Sequence, residues 1–139
     1  MMDNLQRATV SVSINGDDLV PSEITTLLGK APRLGVCKGD VFLASYGKHI
    51  EAKTGKWQFG GEWESPPNLD KQITNVLAEL TEDVSAWSEV TRRFECYLSV
   101  GGYFHDWTGG ITLQPKTMKL LADRNLTIDF DLYAPAASD

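Results

Sequence analysis

Three features of this 139-residue chain predict an α+β domain. Several stretches alternate apolar and polar residues with the period of two that a half-buried strand needs: Val10 to Ile14, Trp57 to Phe59, Phe94 to Val100 and Ile128 to Leu132. Between Asn68 and Arg93 the period changes to that of a helix. Leu69, Ile73, Val76, Leu77 and Leu80 make one apolar stripe, and Val84, Trp87 and Val90 make a second. The third feature is an echo: Leu19-x-Pro21-x-x-Ile24-x-x-Leu27 returns as Leu113-x-Pro115-x-x-Met118-x-x-Leu121, each time after an alternating strand. Together they predict one domain over residues 1–139, with a mainly antiparallel sheet of about five strands and helices on one face. A ferredoxin-like split βαβ arrangement with an internal pseudo-repeat would explain the echo. A common Leu-x-Pro helix opening explains it equally well.

Taken in order, the chain opens with a polar segment, Met1 to Arg7, that lacks the apolar centre of a signal peptide. The ends, about 1–6 and 135–139, are expected to be flexible. After the first strand, Asn15-Gly16-Asp17-Asp18 is a turn, and Pro21 suits the first turn of a helix that buries Ile24, Leu27 and Leu28. Gly29 ends that helix as a left-handed terminator. Ala31 to Asp40 reads as a loop, Val41 to Ala44 as a short strand, and Gly47 to Gly55 as a polar, lysine-bearing segment. The strand at Trp57 and Phe59 breaks or bulges at Gly60-Gly61, and Trp63 extends the same ribbon. Ser65-Pro66-Pro67 delays the next helix to about Asn68, and Thr81 is the expected cap of the one that follows. Gly101 to Gly110 reads as a glycine-rich loop, more mobile than its flanking strands, with Trp107 partly exposed over a shallow groove. The last helix opens at Pro115 with Met118, Leu121 and Ala122 inward, before the final strand.

Composition narrows the functional classes. A net charge of −6 argues against nucleic acid or an anionic membrane surface as partner. No apolar run approaches the roughly 18 residues of a membrane span, so a cytoplasmic location is expected. Cys37 and Cys96 are the only cysteines, and a reduced state is expected for both in that compartment. Cys96 alternates with apolar strand residues and reads as packing. Cys37 has no His or Asn near it in sequence to make it a nucleophile.

A family resemblance also runs along the chain. The opening Gly16-Asp17-Asp18-Leu19-Val20-Pro21-Ser22-Glu23-Ile24, with Leu27-Leu28-Gly29-Lys30-Ala31-Pro32, resembles a bacterial family catalogued only as domain of unknown function 4279. Lys38-Gly39-Asp40, Thr54-Gly55-Lys56-Trp57, the leucine-rich helix with Trp87, and the ending Leu126 to Tyr133 are similar to its later blocks. Val20 and Gln114 stand where such proteins often have a Ser or Asp before the helix-opening proline. The resemblance implies no activity and transfers no catalytic residue.

Candidate functional residues are few. His49 and His105 belong to no metal-spaced motif, so neither a metal nor a cofactor is expected. His105 beside Asp106 has the chemistry of an acid–base pair, although an ordinary loop histidine accounts for it. Asp129 and Asp131 share one strand face, as a hydrolase or a solvated surface would have them. Lys48, Lys53 and Lys56 make a local basic segment in an acidic chain. The aromatic segment is the strongest lead: Tyr103, Phe104, His105 and Trp107, with Trp57, are the expected binding residues, since exposed aromatics mark contact surfaces. No catalytic residue is expected. The leading expectation is a small cytosolic interaction protein with a protein partner, of the immunity or accessory kind. The alternative is a small-ligand receptor or enzyme with a cleft near Trp57, His105 and Asp106.

Overall fold

A computed structural model describes residues 4–44 and 46–135. Its centre is β1 (Leu5–Gly16), a twelve-residue strand whose Ala8, Val10, Val12 and Ile14 all point to one side and are buried. The chain continues through α1 (Pro21–Leu28), β2 (Leu34–Val36), β3 (Val41–Leu43), β4 (His49–Glu51) and β5 (Gly55–Glu64). It then runs through α2 (Leu69–Ala78), α3 (Val84–Arg93), β6 (Glu95–Phe104), α4 (Pro115–Asp123) and β7 (Thr127–Tyr133). Five strands form one sheet in the order β2-β5-β1-β6-β7, all antiparallel neighbours except the parallel pair β6 and β7. The class is therefore α+β with a mainly antiparallel five-stranded sheet.

Connectivity follows from these pairings. The crossover from β1 through α1 to β2 leaves β5 between its two parallel strands, and the crossover from β5 through α2 and α3 to β6 leaves β1 between its own. The third, from β6 through α4 to β7, joins direct neighbours. The two arms of the Leu-x-Pro echo thus serve different connections. They also bury different positions: Ile24 of α1 is fully enclosed, whereas its counterpart Met118 in α4 is 50% exposed. The inward residues of α4 are Thr117 and Leu121, so the expectation of Met118 and Ala122 inward is corrected.

The core forms where the helices cover the buried side of the strands. Val12, Ile14, Leu98 and Val100 meet Ile24, Leu28, Ile73, Leu77, Trp87, Val90 and Leu121 in one cluster. Both enclosed tryptophans have their polar atom satisfied, as burial demands. Trp57 donates its indole N–H to Thr25 Oγ1 at 3.1 Å, and Trp87 donates to the Thr81 carbonyl at 2.8 Å. Burial also pushes the Cys96 thiol up to about 12, with Glu95 adding to the shift, so Cys96 is an inert packing group.

Local chemistry explains the helix ends. Asn68 Oδ1 accepts from the Lys71 N–H at 3.1 Å and starts α2. Asp83, not Thr81, caps α3, accepting from the Ser85 N–H at 2.9 Å, while the Thr81 hydroxyl accepts from the Asp83 N–H. Two residues of shift turn Val84 outward and bring Ala86 in beside Trp87. Gln114 gives α4 no side-chain cap of its own. Asp70 of α2 supplies one across the helix layer, its Oδ1 accepting from the Gln114 N–H at 3.0 Å and from the Thr117 hydroxyl.

Three expectations about loops and ends change. Residues 31–40 contain the short edge strand β2, and 47–55 contain β4, which pairs with β3 in a separate two-stranded ribbon carrying exposed Val41 and Leu43. Gly101 to Phe104 belong to β6, opposite Thr9 to Leu5. A Cβ on Gly102 would lie 3.1 Å from the Arg7 carbonyl and 3.2 Å from both Leu132 and Leu5. These glycines allow close packing inside the sheet, and the loop begins only at His105. Of the ends expected to be flexible, Leu5 is a buried β1 residue, and 1–3 and 136–139 lie outside the described residues.

Candidate functional site: the open face of the sheet

Alternation along β1 places Arg7, Thr9, Ser11, Ser13 and Asn15 on the side away from the helices. Register then fixes their neighbours. Arg7 faces Tyr103, which faces Tyr133; Thr9 faces Trp63 on one side and Gly101 on the other, and Gly101 faces Asp131. Four strands therefore bring Trp63, Tyr103 and Tyr133 into a row. Ring centroids are 5.9 Å apart between Trp63 and Tyr103 and 5.5 Å between Tyr103 and Tyr133. The Arg7 guanidinium lies 4.7 Å from the Trp63 ring centre and 4.5 Å from that of Tyr103, within range of a cation–π contact to each.

Two backbone features make the row possible. Gly60 and Gly61 hold φ of 91° and 99°, in the left-handed region that glycine tolerates, and the pairing of β5 with β1 slips there, between Thr9 and Ser11. That bulge reverses the alternation of β5, so Trp63 joins the open face although Trp57 and Phe59 face the core. At Gly101 the missing side chain leaves room for the Thr9 methyl, which a Cβ there would meet at 3.2 Å, while the Trp63 indole would lie at an ordinary contact distance of 3.9 Å. The Thr9 hydroxyl oxygen is enclosed with no hydrogen-bond partner among the described residues.

Despite these contacts the row remains available to a partner. Trp63 is 49% and Tyr133 48% exposed. The Tyr133 hydroxyl donates to Asp131 Oδ2 at 2.8 Å, and this bond to a carboxylate raises its pKa. Asp129 and Asp131 lie exposed on the same face. Among the described residues no group of three or more His, Cys, Asp or Glu side chains is placed to hold a metal ion.

The residues expected from sequence fall in three places. Tyr103 is at the centre of the row. Phe104 turns to the opposite side and packs against the core. His105, Asp106 and Trp107 follow on an exposed turn, Trp107 at 85% exposure, tied down through Asn4. Asn4 accepts the His105 N–H at its carbonyl, donates from Nδ2 to the Thr108 carbonyl at 2.8 Å, and accepts the Gly110 N–H at 3.2 Å. Trp57 is elsewhere. It pairs with Ile14 at the other end of β1 from Leu5, is completely enclosed, and stacks on Phe59 at 6.0 Å. The expected cleft shared by Trp57, His105 and Asp106 is therefore not formed, because the alternation of β5 sends Trp57 into the helix layer. Sequence reasoning missed Arg7, Trp63 and Tyr133. The parity of Tyr133 with Asp129 and Asp131 was a usable signal; Trp63 required knowing that the bulge flips the face.

A separate groove of about 570 Å³ lies beside the bulge. Phe59, Val76 and Pro32 belong to its apolar part, and Arg33, Glu62, Glu64 and Glu79 carry its charges.

The family model described as "Domain of unknown function (DUF4279)" matches residues 6–135, nearly the whole chain, and the protein belongs to that family. Comparisons with curated proteins and with solved structures find no match.

Proposed function

We propose that this is a bacterial, cytoplasmic interaction protein, of the immunity or accessory type, that engages a protein partner through the open face of its sheet. One observation carries the reading: three aromatic rings and an arginine are lined up on the sheet face opposite the helix-packed core, with Trp63 and Tyr133 about half exposed. Trp, Tyr and Arg are the side chains that most often dominate protein–protein contacts, because they bury large area for few frozen torsions. Their cross-strand packing already fixes their rotamers, so little ordering remains to be done on binding. The charge of −6 favours a basic partner surface.

The test is capture from a native lysate by the wild-type chain and by Trp63→Ala/Tyr103→Ala, followed by affinity measurement on any protein recovered. The expected result is a partner whose affinity falls more than about tenfold in the variant, with the far-UV circular dichroism of both chains the same. No partner, or one held equally by the variant, would overturn the reading.

A second reading, small-ligand binding, has its support in the groove beside Gly60 and Gly61. A metabolite that raises the melting temperature of wild type but not of Val76→Trp, together with no captured protein, would favour it.

A further inference from the structure

Strand β7 closes the sheet on one side and, among the described residues, pairs only with β6. Thr127 to Tyr133 therefore present a row of backbone N–H and C=O groups without strand partners, which is a template for another strand. The opposite edge of the sheet is blunted by shortness, since β2 has three residues. β7 has seven, with no proline, lysine or bulge among them. On its helix side Phe130 still shows 41% of its surface. Only Asp129 and Asp131 guard it.

Those two carboxylates discriminate between occupants. A second copy of this chain would add its own β7 antiparallel about a twofold axis, with outer-face residues opposite outer-face residues. Centred on Phe130, that pairing sets each Asp129 against an Asp131. Centred on Asp129 or on Asp131, it sets that residue against its own copy. Every such register with at least five residue pairs thus places carboxylate opposite carboxylate, and like charges directly opposite are destabilising. The same geometry favours a strand with cations at alternate positions.

We propose that the free edge of β7 is a strand-addition site for an extended protein segment bearing Lys or Arg at alternate positions, its cations set against Asp129 and Asp131. This rests on the reading that the open face binds a protein, since Asp131 and Tyr133 belong to both surfaces. Main-chain hydrogen bonds along the edge supply sequence-independent affinity, and the alternating side chains supply selection.

Three synthetic nine-residue peptides test this on the full chain: valine alternating with lysine, valine alternating with glutamate, and the first composition with its lysines contiguous. Binding is followed by titration and by amide hydrogen exchange. The alternating-lysine peptide is expected to bind more than about tenfold tighter than the glutamate peptide, and to slow exchange at β7. Asp129→Lys/Asp131→Lys should invert the preference, and the milder Asp129→Asn/Asp131→Asn should abolish it if the reversal fails to fold. Equal binding of the contiguous-lysine peptide, protection outside β7, or an unchanged preference in the folded variants would overturn the proposal. Trp63→Ala separates the two readings. If peptide binding at β7 survives it while the captured partner is held as before, the open-face reading alone has failed; loss of the partner with no peptide preference in wild type fails the edge alone.

Discussion

The two sides of β1 are built from the same twelve residues and serve different ends. Toward the helices, Ala8, Val10, Val12 and Ile14 are sealed among leucines, isoleucines and Trp87, and the buried Gln72 amide donates to the Ala8 carbonyl at 3.0 Å. Away from them, Arg7, Thr9, Ser11, Ser13 and Asn15 share the other side, where Ser13 is itself buried and the large side chains of Arg7, Trp63 and Tyr103 touch one another across strands. The inner side gains its free energy from area removed from water. The outer side gains little from its aromatic and cation–π pairs, on the order of 1 kcal/mol each, and leaves half of Trp63 and Tyr133 for something else to cover. Tryptophan therefore has two meanings in one molecule: Trp57 and Trp87 hold the fold, while Trp63 and Trp107 do not.

The largest expected effect breaks the inner side. Trp87→Ala should cost about 3–5 kcal/mol and Leu77→Ala about 2–5 kcal/mol, because both side chains are enclosed and the surrounding helices relax only partly into the cavity. Out of a typical total of about 5–15 kcal/mol, either loss should be plain in a urea titration. Losses under about 0.5 kcal/mol for both would mean the helix pair does not carry the core.

Much of that inner side was legible in the sequence. The period-2 runs gave β1, β6 and β7, and the stripe of Leu69, Ile73, Leu77 and Leu80 gave α2, because burial on one face writes itself into the order of residues. What escaped depended on long-range contact. Gly101 and Gly102 signalled a loop locally, yet they sit in mid-strand because Thr9, Trp63, Leu5 and Leu132 press against them from three other strands. The three-residue strands β2 and β4 are too short to show a period. The aromatic row escaped for a related reason: its members come from residues 7, 63, 103 and 133, and only register makes them neighbours. Tyr103 was singled out by its own character; of its companions only Tyr133 carried a local signal, its parity with Asp129 and Asp131.

A middle-sized effect should sharpen the comparison at Gly101, which lies on the open face yet is half enclosed. Gly101→Val puts a branched side chain where a Cβ alone would already meet Thr9 at 3.2 Å and Trp63 at 3.9 Å. The expected cost is about 1–3 kcal/mol, accompanied by displacement of Trp63 from Arg7. Urea titration gives the first, and a red-shifted, more quenchable tryptophan emission the second. A variant as stable as wild type, with unchanged emission, would show that the indole does not rest over this glycine.

The smallest effect on stability is expected at Trp107. The residue is 85% exposed and follows the strand by three residues, on a turn whose backbone is pinned by Asn4. Removing it costs the fold little buried area, so Trp107→Ala should change stability by less than about 0.5 kcal/mol. Asn4→Ala, by contrast, deletes the side-chain bonds to Thr108 and Gly110 and should loosen the turn, seen as faster amide exchange at Gly110. The pair of variants separates position from contact. If Trp107 reaches the partner proposed for the open face, Trp107→Ala weakens binding by more than about 1 kcal/mol at unchanged stability. Asn4→Ala should weaken it less, by spoiling the placement of a ring that is still present. A stability loss at Trp107 comparable to that at Trp87 would instead assign this tryptophan to the inner side, and the division between the two sides of the sheet would no longer hold at its edge.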